Sequence, residues 1–293
     1  MLIIENSQFE VGINEMGAQI THFVQKSDNF DWIWNGSEWA EHSPILFPAV
    51  GKSYNNQYVV DGKKYNMPVN GFANNYQWTV VDKGDDRVSL MLMDNEETYK
   101  IYPFKFSLMV TYALVATGLE VSFHLKNLSA SPMPYALGIM PAFNLSVSNE
   151  KLNFDDYELK FIPETPSLTQ FSVNKEGLRA ANATEVLGLK ESTLALSKAV
   201  FDYGHLYINS PGLTLVILST NKNNIERKVS IRLEDFSGIE LWKSPETDQF
   251  LAIAPINGFP DMEENNPSWS EKLGNKILEP EQEIDLKTTI SLN

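Results

Sequence analysis

The sequence predicts an all-β protein built as one large antiparallel β-sandwich, and two observations carry that prediction. Apolar and polar residues alternate with a period of two in many short segments, which is typical of half-buried strands. The chain's 16 glycines and 15 prolines interrupt it at short intervals, and this favours strands joined by turns over long helices. With no internal repeat and no clear linker, we expect a single domain over residues 1–293.

Individual strands can be predicted along the chain. Residues 58–60 and 63–65 flank Asp61-Gly62, a dipeptide that favours a two-residue hairpin turn. The same alternation predicts strands over residues 104–110, 119–126, 213–218 and 229–233. The segment 175–198 has the weakest strand pattern, so we expect it to form a long excursion from the sheets.

The charge balance excludes several classes of partner. The chain has 38 acidic residues against 23 lysines and arginines, a formal net charge of −15. Binding to phosphate groups needs a basic surface, so we expect neither nucleic acid nor a membrane as a partner. Few arginines are present, which weighs against a phosphosugar or nucleotide ligand, because such ligands favour a bidentate guanidinium. No stretch reaches the roughly 18 apolar residues that a membrane span needs.

The sequence also lacks the usual signatures of metal and cofactor sites. Cysteine is absent, which excludes thiol catalysis, thiolate metal sites and disulfides. No histidine pair has the spacing of a metal site, and no Walker loop, dinucleotide fingerprint or nucleophile elbow occurs. We expect no cofactor and no metal. The absence of cysteine and of a basic N-terminal leader leads us to expect a cytoplasmic protein.

Histidines and tryptophans are the remaining side chains of chemical interest. His42 precedes a loop in which Lys52 can present a cation. His205 lies in a mostly apolar run, so we expect it to be packed rather than catalytic. The indoles of Trp39 and Trp242 belong to a residue type that stacks on sugar rings and, more commonly, packs in cores. From the residues alone, a sugar site and a packed core both stay open.

Several stretches, in order, resemble motifs of the aldose 1-epimerase (galactose mutarotase-like) family. Residues 42–52 resemble H-A-P-V-L-F-P-x-V-G-R, and Gly71-Phe72-Ala73 falls within H-G-F-A-R. Three more stretches carry the resemblance, namely 95–106 (N-E-E-T, then Y-P-F-x-F), 132–144 (P-M-P-F-x-x-G-x-H-P-x-F-N) and 254–261 (E-P-W-x-G-x-x-D). The set spans nearly the whole chain and is most similar to the branch of small bacterial proteins encoded near lactose genes.

The resemblance implies a β-sandwich with a sugar cleft on one sheet, and it implies mutarotation. That reaction opens a cyclic hemiacetal and closes it on the other face. One group must take the proton from the anomeric hydroxyl while another protonates the ring oxygen. Members of the family use a glutamate as the base and a histidine as the acid, with a second histidine and arginines holding the sugar.

This chain departs from the family pattern at the positions that matter most. By the resemblance, Asn70 stands at the position of the second histidine, Asn74 at that of the arginine after it, and Lys52 at that of the arginine in V-G-R. Met140 stands at the position of the acid histidine, and Ala254 at that of the base glutamate. Methionine and alanine cannot transfer protons, and asparagine does not titrate. The sequence therefore predicts a mutarotase-like carbohydrate-binding protein that has lost aldose 1-epimerase activity.

Two other functions stay open. The first is an active aldose 1-epimerase that interconverts the α and β anomers of a hexose with displaced catalytic groups. His42, Lys52 and Asp261 are the nearest candidates for those groups by motif position. The second is a non-enzymatic protein-interaction or regulatory domain. We expect the ligand to be a small neutral molecule, a sugar in the leading interpretation. The residues expected to bind it are Lys52, Asn70, Asn74, Met140, Ala254, His42 and Asp261.

Overall fold

The computed structural model describes residues 1–146, 152–201, 203–209, 212–233, 235–265 and 267–292. Over these ranges it confirms the all-β prediction. The one α-helix there, α1 (Glu96–Ile101), has six residues. Four short 3-10 turns accompany it, at Tyr54–Asn56, Ala73–Asn75, Phe154–Asp156 and Lys198–Val200. In the same ranges, no helix has the length and apolar character needed to cross a membrane.

Strands make up nearly all of the remaining regular structure. In chain order they are β1 (Leu2–Glu5), β2 (Phe9–Ile13), β3 (Ile20–Gln25), β4 (Phe30–Asp31), β5 (Ile45–Leu46), β6 (Gln57–Val60), β7 (Lys63–Asn66), β8 (Thr79–Lys83), β9 (Arg87–Met93), β10 (Phe106–Val115), β11 (Gly118–Asn127), β12 (Met133–Tyr135), β13 (Leu137–Ile139), β14 (Ala142–Asn144), β15 (Glu158–Ile162), β16 (Thr169–Phe171), β17 (Thr184–Glu185), β18 (Leu189–Lys190), β19 (Thr193–Ala195), β20 (His205–Asn209), β21 (Leu215–Lys222), β22 (Ile225–Arg232), β23 (Gly238–Trp242), β24 (Phe250–Asn257), β25 (Lys276–Leu278) and β26 (Glu283–Leu292).

Two large antiparallel sheets dominate the architecture. The ten-stranded sheet runs in the order β18-β19-β15-β21-β22-β26-β11-β10-β9-β8. The eight-stranded sheet runs β17-β16-β20-β23-β24-β13-β5, with β14 also paired to β24. A four-stranded sheet β1-β2-β3-β4 and the pairs β12-β25 and β6-β7 complete the fold. The predicted hairpin is confirmed as β6-β7, and the turn residues Asp61 and Gly62 both have the positive φ that such a turn requires.

The strands predicted from alternation are confirmed with shifted ends. They correspond to β10, β11, β21 and β22. The burial of β10 alternates residue by residue, with Leu108 and Val110 among the inward side chains. The weakly patterned segment 175–198 contains only the short strands β17, β18 and β19. Periodicity therefore identifies these four strands with inexact boundaries, whereas the equally long β24 and β26 were not predicted.

The eight-stranded sheet is covered on both faces, which explains why its central strand lacks alternation. All eight residues of β24 are buried. On one face, Leu251 and Ile253 join the main core together with residues of the ten-stranded sheet. On the other face, Ala252 and Ala254 join a smaller apolar cluster. A strand buried on both sides reads as a continuous apolar run, and the second face carries the candidate site.

Candidate functional site

The segment 70–74 is fixed against the loop of residues 47–51, which follows β5. Asn70 and Gly71 both have positive φ, of 63° and 77°. A Cβ on Gly71 would lie 2.1 Å from the carbonyl oxygen of Phe47, so only glycine fits there. The Phe72 N–H donates to that same oxygen over 2.8 Å, and the Gly51 N–H donates to Asn70 Oδ1 over 2.7 Å. These contacts hold Asn70 at the rim of a depression on the sheet.

Two adjoining cavities form this depression, which we call the cleft. The first, of about 200 Å³, is lined by Trp39, Glu41, Asn70, Met140, His205, Glu240 and Trp242. The second, of about 250 Å³, shares Asn70 and His205 with the first and adds Lys52 and Tyr207 to its lining. Small-ligand sites are typically a few hundred Å³ in volume. Two larger grooves, of about 500 and 590 Å³, contain none of the residues predicted for the site, although the second of them shares Asn174 with the cleft.

Three neighbouring strands present the floor of the cleft on one face. In the pairing of β20 with β23, His205 is opposite Trp242 and Tyr207 is opposite Glu240. In the pairing of β23 with β24, Glu240 is opposite Ala254. Directly opposed residues on antiparallel strands point to the same face, with Cβ atoms roughly 4.5–5.5 Å apart. The register therefore gathers an imidazole, a carboxylate and a phenol around a small alanine.

His205 and Glu240 form a hydrogen-bonded pair in the cleft. The Nδ1 atom of His205 lies 2.8 Å from Oε1 of Glu240. Because a carboxylate only accepts, Nδ1 carries the proton and donates it. The Glu240 side chain is 1% exposed whereas that of His205 is 28% exposed. The other oxygen of Glu240, Oε2, is buried and has no hydrogen-bond partner among the described residues.

The ring of Tyr207 stacks on that of His205. The planes are 8° apart and the centroids are 5.7 Å apart. Burial raises the pKa of the Tyr207 phenol well above its usual value, and the charge of Glu240 raises that pKa further. Tyr207 therefore stays neutral beside Glu240 and acts as a rigid support for the imidazole.

A second carboxylate, Glu41, faces the first cavity from the loop that precedes β5. The amide of Asn74 donates to Glu41 Oε1 over 2.7 Å. Burial raises the pKa of Glu41, and the hydrogen bond from Asn74 offsets only part of that rise. Glu41 therefore takes up a proton more readily than an exposed glutamate does.

Aromatic rings form one wall of the cleft. Trp39 and Trp242 are half-buried, with ring centroids 4.9 Å apart. Trp39 also stacks on Phe250, at 5.6 Å between centroids and 16° between planes. The indole N–H of neighbouring Trp34 donates to the Trp39 carbonyl over 3.2 Å. This wall offers flat apolar faces next to amide and carboxylate groups.

Three of the seven residues expected to bind ligand line the cleft, and two more lie next to it. Asn70 and Met140 line the first cavity, and Lys52 lines the second. Asn74 reaches the cleft through its hydrogen bond to Glu41. Ala254 lies across from Glu240 on the adjacent strand.

His42 and Asp261, the other two expected residues, do not line the cleft. The Nδ1 atom of His42 donates to the carbonyl oxygen of Trp34 over 2.8 Å. Asp261 is 3% exposed, and its carboxylate lies 3.1 Å from Nζ of buried Lys272. It also accepts from the backbone N–H of Tyr54 over 3.1 Å. Both side chains are thus engaged in contacts that hold loops together.

Three titratable residues that line the first cavity were not among the site residues predicted from the sequence. They are Glu41, His205 and Glu240. His205 looked like a packed histidine because its neighbours in sequence are apolar. The available signal was Glu240, a lone carboxylate within the otherwise apolar strand β23. In the described part of the chain, no group of His, Asp and Glu has the arrangement of a metal site.

Comparisons with known proteins agree with this architecture. The family model described as aldose 1-epimerase matches residues 1–291. The chromosomal and plasmid LacX proteins of Lactococcus lactis subsp. lactis are each 24% identical to this chain, over 275 and 273 residues, with 90% of both chains covered.

Solved structures resemble the whole chain as well. A galactose mutarotase-like protein from Lactobacillus casei is 33% identical, with a TM-score of 0.94 over the full length of both chains. A galactose mutarotase related enzyme from Lactobacillus acidophilus is 28% identical, with a TM-score of 0.93 over 100% of this chain and 97% of that one. The fold is therefore galactose mutarotase-like, and the chain belongs to the aldose 1-epimerase family.

Proposed function

We propose that the protein binds a sugar in the cleft, and that the family's acid and base are absent from their inherited positions. The observation that carries the proposal is the shared lining of one cavity. Asn70, Trp242 and Glu41 combine an amide, an aromatic face and a carboxylate there. Sugars present hydroxyls that donate and accept, together with apolar ring faces. Amides and carboxylates suit the hydroxyls, and indoles suit the ring faces.

Loss of the family's chemistry at positions 140 and 254 is part of the proposal. Met140 has no proton to transfer and Ala254 has no functional group. General acid and base groups each contribute typically 10²–10⁴-fold to a rate. If no other side chains replace the lost acid and base, the cleft would bind a sugar, and the anomers of that sugar would interconvert only at the uncatalysed rate in buffer. A cytoplasmic location stays a prediction, based on the absence of cysteine.

A second candidate is an active aldose 1-epimerase with displaced catalytic groups. One observation favours it, because a carboxylate and an imidazole still meet in the cleft as Glu240 and His205. The displaced groups suggested by sequence were His42, Lys52 and Asp261. Of these, only Lys52 lines the cleft.

Sugar binding is tested by the thermal unfolding of the purified protein with D-galactose, D-glucose and a panel of other neutral sugars. A ligand at 100-fold its dissociation constant adds about 2.7 kcal/mol to the free energy of unfolding. Trp242→Leu should abolish the shift by removing an aromatic face. Tyr99→Ala removes an exposed ring outside the cleft and should keep it. No shift with any sugar would reject the proposal and favour a non-enzymatic interaction domain.

A further inference from the structure

The cleft contains two titratable side chains that come from different parts of the chain. His205 comes from β20 in the eight-stranded sheet, and Glu41 comes from the loop before β5. Both line the same cavity of about 200 Å³. Each side chain has an atom that makes no hydrogen bond within the described part of the chain. In His205 that atom is Nε2. The Glu41 carboxylate accepts a single hydrogen bond, to one oxygen, in the same described set.

We propose that His205 and Glu41 are the catalytic base and acid of this protein, and that Glu240 is the residue that positions His205. The inference rests on the proposed binding of a sugar in the cleft. The substrate is the one that the family resemblance implies, the cyclic hemiacetal form of a neutral aldose; the new element is the assignment of the residues.

The proposed step balances without any further reactant. Nε2 of His205 takes the proton from the anomeric hydroxyl, and the C1–O5 bond breaks as C1 becomes an aldehyde carbon. The carboxyl group of Glu41 gives its proton to O5. After rotation about the C1–C2 bond, O5 returns its proton to Glu41 and attacks the other face of C1. The anomeric oxygen then recovers its proton from His205, so both groups end in their starting states.

Glu240 fixes which nitrogen of His205 faces the cleft. Its Oε1 atom accepts from Nδ1–H over 2.8 Å, which leaves Nε2 as the basic atom. The carboxylate is 1% exposed, so water screens its charge poorly. When His205 takes up a proton, that negative charge stabilises the resulting imidazolium. This is the logic by which a buried acid orients and supports a histidine base in many hydrolytic enzymes.

Glu41 has the protonation behaviour that a general acid needs. Burial raises its pKa, so a larger fraction of Glu41 is protonated near neutral pH than for an exposed glutamate. A donor is most effective when its pKa lies near the working pH. The hydrogen bond from Asn74 holds one carboxyl oxygen and leaves the other without a hydrogen bond to any described residue.

The test compares mutarotation rates of D-galactose and D-glucose, followed by polarimetry and NMR, for the full chain and four variants. His205→Gln and Glu41→Gln should each lower the rate enhancement by roughly 10²-fold or more. Glu240→Gln should lower kcat and leave KM unchanged, and it should change the tautomer ratio of His205 in nitrogen NMR spectra. The matched control is His124→Gln. It breaks a similar pair of 2.8 Å between His124 and Asp285 on the ten-stranded sheet and should keep the wild-type rate.

Each outcome of this test decides a different point. Wild-type turnover that survives His205→Gln unchanged would overturn the proposal. Sugar-dependent thermal stabilisation without turnover above the buffer rate would also overturn it, while leaving the proposed sugar binding intact. If no sugar stabilises the protein or is turned over, the proposed function and this inference both fail. Unaltered folding of the variants is checked by their thermal unfolding.

Discussion

Glu240 on β23 lies directly across from Ala254 on β24, in the pairing of two central strands of the eight-stranded sheet. The sequence resemblance predicts that Ala254 stands where the family has its catalytic glutamate. If that alignment holds, the carboxylate of Glu240 lies on the neighbouring strand, on the same face. Ala254 itself is fully buried and belongs to the smaller apolar cluster on that face.

Introducing a second carboxylate at this place should destabilise the protein. Ala254→Glu would put two like charges on opposed positions of a buried surface, where only one has a hydrogen-bonding partner. An uncompensated buried charge typically costs about 3–5 kcal/mol. Denaturant unfolding at pH 7 measures the loss. The conservative control Ala254→Ser should cost far less. Equal stability of Ala254→Glu and wild type would contradict the packing described here.

Glu41→Gln should stabilise the protein at neutral pH while lowering any activity. Burial raises the pKa of Glu41, so the folded state binds more protons than the unfolded state between the unfolded and folded pKa values. Stability therefore falls as pH rises through that window, and above it the folded state bears the full free-energy cost of a buried, ionised Glu41. Glutamine keeps an acceptor for the amide of Asn74 and removes that cost.

The measurement for Glu41 is the thermal midpoint of wild type and variant at pH 7 and at pH 3.5. The gain should appear at pH 7 and vanish at pH 3.5, where the wild-type carboxyl is protonated in both states. Glu38→Gln, at an exposed position three residues earlier, should give no comparable gain. If Glu41→Gln is less stable than wild type at pH 7, the predicted direction of the stability change is wrong.

Asp261→Asn should reveal a structural role for Asp261. The substitution leaves Lys272, which is 1% exposed, without its counter-charge, and breaking a buried pair in this way costs about 3–5 kcal/mol. Burial lowers the pKa of Lys272, so the unfolded state binds more protons than the folded state between the two pKa values. Stability then rises with pH in that window, and the penalty of Asp261→Asn should be smaller at pH 9.5 than at pH 6.5.

Denaturant unfolding at those two pH values checks this prediction. Asp285→Asn, at an 86% exposed carboxylate, is the control and should change stability little. If Asp261→Asn loses the same amount of stability at both pH values, the unpaired charge of Lys272 does not cause the loss. Sugar binding by folded Asp261→Asn should match wild type, because Asp261 lies outside the cleft.

Gly71→Ala should damage the cleft rim more than an ordinary glycine substitution does. The residue has a φ of 77°, and a Cβ would lie 2.1 Å from a backbone oxygen that cannot move away cheaply. Backbone strain alone costs about 1–2 kcal/mol, and the clash adds to it. Gly62 has a φ of 73° and open space around it. Gly62→Ala should therefore lose only the stability that backbone strain costs. Equal losses in thermal unfolding would mean that the contact with Phe47 is unimportant.

The sequence predicts the fold better than the site, for a physical reason. The hairpin at Asp61-Gly62 and the alternating strand β11 depend on local chemistry and periodicity, which are readable along the chain. The pairing of His205 with Glu240 depends on the register between two strands 35 residues apart in sequence, and no local pattern encodes that register. The prediction that Asn70 and Met140 share one cavity came from resemblance rather than from periodicity.

The most direct test of the central claim is nitrogen–proton NMR of protein labelled only at histidine, titrated with D-galactose and D-glucose. The chain has four histidines, so the spectrum is simple, and His205→Gln assigns the key resonance. If either sugar binds in the cleft as proposed, the His205 resonances should shift with saturation, while those of His22 and His124 stay fixed. Saturable binding of a sugar that leaves His205 unmoved would contradict the account.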